Sequence, residues 1–234
     1  MIRLFLTFLV LGHFLMGNAQ NAGNVWHFGN GCVLDFNTNP PSVSGGITAT
    51  QIYTNEGSAV QCDASGQLLF YTDGSFIWDR NNNLMPRNFL IPGGIGNLGG
   101  NSTSTSSALI IQNPGNSNQY YVFTIAPEAG SIPTLIPFSG LSYVVVDMTL
   151  NGGFGDFLQD PIVLIEPTSE KVTATPHCNG SDYWILTHEW NSNRFFAFQL
   201  TASGINPPVI SSSGIAHTDA DNNGGFVEAI GYMK

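Results

Sequence analysis

Apolar residues in this chain come in short runs of four to eight, rich in aromatic and β-branched types. Gly, Asn, Ser and Pro bound the runs. That pattern predicts strands and tight turns rather than helices. Three segments line up. Gly66 to Thr72, Asn118 to Thr124 and Ser181 to Thr187 are each a polar turn, a buried central strand and a closing Thr. A shorter strand is expected before each, at Ser58 to Cys62, Ser107 to Gln112 and Val172 to His177. Another is expected after each, at Ser75 to Trp78, Leu141 to Asp147 and Phe195 to Leu200. Fourth strands are expected at Phe89 to Ile91, Ile162 to Ile165 and Val209 to Ser211, each following a polar turn.

The closing threonines are 52 and then 63 residues apart. Repeats of several strands at this period point to blades of a β-propeller lengthened by loop insertions. Ala229 to Met233 reads as the first strand of a fourth unit. The expected fold is therefore all-β: a partial β-propeller of about three four-stranded antiparallel blades plus the first strand of a fourth. Three units and a stub do not close a ring, which predicts a truncated one. An irregular β-sandwich is the alternative architecture.

The N-terminus changes the compartment. Arg3, an apolar stretch from Leu4 to Met16, and Gly17-Asn18-Ala19 form a secretory signal peptide over residues 1–19. The stretch is short for a membrane span, which needs about 20 residues, and no other segment approaches one. Residues 20–234 form the expected mature domain, an incomplete propeller. Removal of Arg3 takes the net charge from −10 to −11. Such a chain repels phosphate backbones and has no basic patch for anionic lipid, so nucleic acid is excluded as a natural partner. With 42% apolar residues and 9% charged, the chain is globular rather than disordered. Export permits disulfides, but the cysteines are three: Cys32, Cys62 and Cys178. A Cys32–Cys62 bridge and two separately buried thiols are equally compatible with the sequence.

The stretches Trp26 to Asn30, Leu34-Asp35-Phe36, Glu56 to Ala59, Asp63 to Gly74 and Ile77 to Asn81 carry a family resemblance. So do Leu98 to Thr105, Val145 to Met148, Leu150 to Gly153 and Gly231 to Lys234. Together they resemble the N-terminal β-propeller (WD40-like) region of large secreted Bacteroidetes proteins. Those proteins end in gliding-motility-associated or type IX secretion sorting domains. The resemblance covers almost the whole mature chain. It implies export and a place at the cell surface or outside the cell, and it brings no catalytic residues with it.

Candidate chemistry is sparse. Asp219, Asp221 and Asn223, followed by Gly224, match the opening of a calcium loop, with oxygen ligands on alternate residues. Its twelfth position is Ile230, so Glu228 is the closing ligand available; the alternative is an Asx-rich turn. His177, Cys178 and His188 have spacings that match no usual zinc pattern. Trp78-Asp79 reads as a core residue and a turn acceptor. Asp63, Asp73, Asp147, Glu166 and Glu189 are the carboxylates from which a glycoside-hydrolysing pair would be drawn. There is no G-x-S-x-G elbow, and the serines and threonines from Ser102 to Ser107 read as a loop entering a strand. Trp26, Tyr53 and Trp190 lie near turns and are the aromatic candidates for contact with a glycan or protein. The expected role is a non-catalytic, secreted or cell-surface module for scaffolding or adhesion. Its partner is an unidentified protein or glycan. The alternatives are a fragment of a polysaccharide hydrolase and a calcium-stabilised structural module.

Overall fold

A computed structural model of the chain describes residues 21–91, 95–127, 140–218, 229–231 and 233. The expected signal peptide and the calcium candidates Asp219, Asp221, Asn223 and Glu228 lie outside the described residues. The chain is all-β: the described residues contain no α-helix, and no helix long and apolar enough to cross a membrane.

Four antiparallel sheets follow one another along the chain. Sheet one holds β1 (Val25–Phe28), β2 (Cys32–Asp35) and β3 (Ser42–Gly45); sheet two holds β4 (Ala59–Cys62), β5 (Leu68–Thr72) and β6 (Ile77–Asp79). A ribbon of β7 (Leu90–Ile91) and β8 (Ile95–Gly96) follows. Sheet three holds β9 (Ala108–Asn113), β10 (Asn116–Ile125), β11 (Leu141–Asp147), β12 (Asp156–Phe157) and β13 (Ile162–Ile165). Sheet four holds β14 (Thr168–Pro176), β15 (Tyr183–Glu189), β16 (Ser192–Thr201), β17 (Gly204–Ile205) and β18 (Val209–His217). Within each of the four sheets the leading strands run as a meander, neighbour beside neighbour.

The three aligned segments are the second strands of sheets two, three and four. Their closing threonines are equivalent in register: Thr72 pairs with Ala59, Thr124 with Ala108 and Thr187 with Val172. All three are buried. Each hydroxyl is tied to nearby backbone. Thr72 Oγ1 accepts from Gly74 N, Thr124 Oγ1 donates to Leu98 O, and Thr187 Oγ1 donates to Lys171 O.

The continuous apolar run in β10 has a simple cause. A strand covered on both faces loses the polar half of its alternation. Tyr120 and Val122 pack with Val144 and Val146 against Phe70, Ile77 and Met85 on the side of sheet two. Tyr121, Phe123 and Ile125 face the other way, against Val172, Ile185, Phe198 and Leu200 of sheet four. Sheet three is thus the filling between sheets two and four. The first strands of the sheets stand beside one another in chain order: β1 against β4, β4 against β9, and β9 against β14.

Four expectations need correction. The repeat count omits sheet one, a complete three-stranded unit preceding the three aligned ones. Phe89 to Ile91 does not extend sheet two; Leu90 and Ile91 pair with Gly96 and Ile95 in a separate ribbon, and Leu84 makes the bridge to Trp78 instead. The third strand of sheet two starts at Ile77 rather than Ser75, because Asp73 Oδ1 accepts from the amides of Ser75 and Phe76 and bends the chain there. Residues 229–231 are not a strand. They run beside β14, where Glu170 N donates to Ala229 O at 3.0 Å and Ala229 is fully buried. The expected fourth strands of the later units are present, with β13 on β11 and β18 on β16.

Candidate functional site

The segments that lead into β4, β9 and β14 meet at one end of the stack. Ser58 Oγ donates to His27 O at 2.7 Å, joining sheet two to sheet one. Gly57 N donates to Ser104 O at 3.3 Å, and Thr54 Oγ1 lies 2.7 Å from Ser102 O, joining sheet two to the approach of sheet three. Gly57 is required by that approach: a Cβ there would sit 2.6 Å from Ser107 N. Thr105 N donates to Glu170 Oε2 at 3.0 Å, joining sheet three to sheet four.

Two carboxylates converge on the Thr105 hydroxyl. Glu56 Oε2 is 2.8 Å from Thr105 Oγ1, and the buried Glu170 Oε2 is 3.3 Å from it. Gly231 N donates to the same oxygen at 3.4 Å. Beside this junction is a cavity of about 380 Å³ whose lining includes Phe28, Glu56, Ser58, Thr105, Ser106 and Met233. It is polar at the strand entries and apolar toward Leu109 and Val172. A hydroxyl flanked by two carboxylates binds polar groups by hydrogen bonding. Among the described residues, the partners of that hydroxyl are the two carboxylates and the Gly231 amide, and no histidine bonds it.

A second concavity, of about 460 Å³, opens on sheet one and is lined by Val25, Trp26, Phe28, Leu34 and Val60 among others. Trp26 is 52% exposed, and its Nε1 donates to Gly23 O at 2.8 Å. Its ring centroid is 5.1 Å from that of Phe36. Trp26, Leu34 and Val43 share a register row and therefore a face; Val43 is 70% exposed.

The carboxylates picked out as a hydrolytic pair mostly serve turns. Asp63 Oδ1 accepts from the Ser65 hydroxyl, Gln67 N and Ser65 N, and these bonds, the hydroxyl's foremost, hold its pKa below the ordinary value. Asp147 Oδ1 accepts from Thr149, and Glu189 is bound by Arg194. Burial pushes the Asp73 carboxyl upward while its oxygen caps the β5–β6 turn. The pair that does converge, Glu56 and Glu170, lies outside that set, since its meeting depends on how sheets stack. The spacing carried a clue: Glu56 and Thr105 each stand three residues before the Ala that pairs with a closing Thr.

Of the aromatic candidates, Trp26 and Tyr53 are exposed, whereas Trp190 is buried, with its amide bonded to Pro167 O. Asp79 is a turn acceptor as expected, taking Asn81 N and Asn83 N on Oδ1, and Trp78 stacks on Tyr71. His177 and Cys178 lie together, with Sγ 3.7 Å from Nδ1, but His188 stands at the far end of β15. Among the described residues, no three His, Cys, Asp or Glu side chains cluster to hold a metal ion. All three cysteines are free thiols; burial raises the pKa of Cys62, which packs with Val25 and Val33.

Compared with models of protein families, with curated proteins and with solved structures, the chain matches none of them.

Proposed function

We propose that the chain is a run of consecutive β-propeller blades from an exported surface protein, and that it serves as a non-catalytic scaffold or adhesion module. The observation that carries this reading is the arrangement of first strands. β1, β4, β9 and β14 stand side by side in chain order around a shared polar junction, with each sheet stacked on the next. Meanders radiating from neighbouring inner strands are how propeller blades are arranged. Both ends of the run also present apolar surface of the kind that further blades cover. Trp26, Phe28 and Val43 are exposed on sheet one, and Trp184, Leu186 and Ala197 lie on the outer face of sheet four. The signal peptide and the resemblance to secreted Bacteroidetes propeller regions supply the compartment. The polar junction offers hydrogen-bonding groups, and among the described residues no histidine bonds its hydroxyl, which favours holding over turnover.

Sedimentation of the purified mature chain over a range of concentrations, with and without a hydrophobic dye, tests the reading. Dye binding and concentration-dependent association, both reduced by Trp26→Ser with Val43→Ser, are the expected result. A monomer that binds no dye overturns the open-run reading. Release of reducing ends from a polysaccharide, abolished by Glu56→Gln, replaces the scaffold with the hydrolase.

A further inference from the structure

The last strand of sheet four is held unevenly. Val209, Ile210, Ser211 and Ser212 pair in register with Ala197, Phe196, Phe195 and Arg194. The register then breaks, and residues 213–216 stand opposite Asn193 alone before His217 pairs with Ser192. Gly214 takes a positive φ of 74° in this bulge, and Ile215 is 76% exposed. Among the described residues, one side-chain bond crosses to the bulge, from Asn193 Nδ2 to Gly214 O at 3.3 Å. A strand end with so few ladder bonds and so little burial belongs to the low-stability part of a fold.

What covers the underside of that end is a second imidazole. The His217 and His188 ring centroids are 4.5 Å apart, and His188 also meets the edge of Phe195 at 4.6 Å. His188 is 1% exposed. Neither of its ring nitrogens makes a hydrogen bond of good geometry, although the Glu189 backbone lies close enough to oppose the effect of burial in part, and Nδ1 of His217 makes none. The charged and titratable groups facing His188 are His217 on β18, Lys171 on β14 and Glu189 on β15, the last bound by Arg194 of β16. A proton on His188 therefore places a cation in a buried site beside another imidazole and an ammonium, with the Glu189 carboxylate already bound by Arg194.

We propose that His188 and His217 form an acid-operated latch that holds the far end of β18 on sheet four. With both rings neutral the end stays docked. On acidification it lifts, hydrating both rings and baring Phe195 and the backbone edge of β16 around Ser192. The direction follows from linkage. Burial first, then the charges on His217 and Lys171, hold the docked His188 below its ordinary value. Lifting returns the His188 ring to about 6.5, so it takes up a proton there and gains population as pH falls below that value. The gain is about tenfold per pH unit for each proton taken up.

Hydrogen exchange of the mature chain at pH 7.5 and pH 5, corrected for the intrinsic rate, reads the latch directly. The expected result is a loss of protection at residues 213–217 at least about tenfold greater than at β10. His217→Phe and His188→Phe keep an aromatic ring in place and should each reduce that difference, and the double variant should abolish it. His217→Phe lies at the half-buried strand end and spares the core if His188→Phe does not fold. Equal protection of residues 213–217 at the two pH values overturns the proposal. So does loss in step with β10, which marks global unfolding, and so does a difference that persists in His217→Phe at the wild-type size.

Discussion

The junction between sheets three and four and the junction between sheets one and two bring the same kind of faces together with opposite chemistry. Between three and four, Tyr121, Phe123, Ile125 and Leu141 meet Val172, Ile185, Phe198 and Leu200, and the contact is dry and mostly apolar. Between one and two, the apolar cluster is only Val25, Val33 and Cys62, with Ala49 and Val60 beside it. The rest is a polar relay. The buried His27 stacks on Tyr71 at 4.3 Å, and its Nδ1 lies 2.8 Å from Thr50 Oγ1. Tyr71 OH donates to Asn82 Oδ1 and accepts from Gln51 N. The first junction tolerates any arrangement that fills its volume. The second depends on each group finding its partner, because an unpaired buried polar group is costly. One stacking plan is thus secured by volume in one place and by hydrogen bonds in the other.

The largest test of this difference is Phe123→Ala. Phe123 is fully buried in the apolar junction, so the change should cost about 3–5 kcal/mol by denaturant titration. The loss should be the same at pH 7.5 and pH 5.5, since the cavity it leaves has no titrating wall among these residues. A loss under 1 kcal/mol would mean the junction repacks freely and is not the dry core described.

Acid breaks the other junction. Burial holds the His27 pKa down to about 4. In the unfolded chain it returns to about 6.5. Unfolding therefore takes up a proton between those values, so His27 leaves stability undiminished above about 6.5 and erodes it as pH falls toward 4, by up to about 3 kcal/mol. His27→Phe should flatten that part of the stability profile. Its effect at neutral pH should be smaller than that of Phe123→Ala, because the ring stack on Tyr71 survives. A wild-type profile that is flat from pH 7.5 to 4.5 would show that the His27 ring is hydrated.

Gly57→Ala tests how closely sheets two and three approach where the polar junction forms. The added Cβ would meet Ser107 N at 2.6 Å, and backbone does not move aside as a flexible side chain does. The expected cost is about 2 kcal/mol by thermal melt, together with faster amide exchange at Ser104 and Thr105. Wild-type stability would mean that Gly57 N does not bond Ser104 O.

The second strands of sheets two to four are legible as apolar runs: β5 and β10 are covered on both faces, while β15 buries Ile185 toward sheet three and keeps apolar Trp184 and Leu186 on its other face. Each reads as an unbroken apolar run closed by a buried Thr, and their register is the same in all three sheets. Sheet one is hidden for the converse reason. β1 alternates buried Val25 and His27 with exposed Trp26 and Phe28, and every residue of β3 is exposed. A two-residue alternation in so short a strand hardly exceeds the background of turn residues. Leu90 misleads because it is apolar yet 65% exposed in a ribbon. Neither the convergence of Glu56 and Glu170 on Thr105 nor the meeting of His188 with His217 is written locally. Each joins residues from separate strands or loops, and only the order of stacking decides that they touch.

The smallest expected effect separates the two faces of sheet one. Val25 and His27 look inward to sheet two, while Trp26 and Phe28 look outward. If the inner face alone secures the sheet, Trp26→Ser should change the stability of the isolated chain by no more than about 0.5 kcal/mol, as for a surface substitution. Its bond to Gly23 O and its contact with Phe36 are both made at exposed positions and should contribute little. The same change should lower dye binding and self-association, since Trp26 is the largest group on the outward face. A stability loss comparable to that of Phe123→Ala would mean the outward face already packs against something within the chain, and the contrast between a filled inner face and an uncovered outer one would fall.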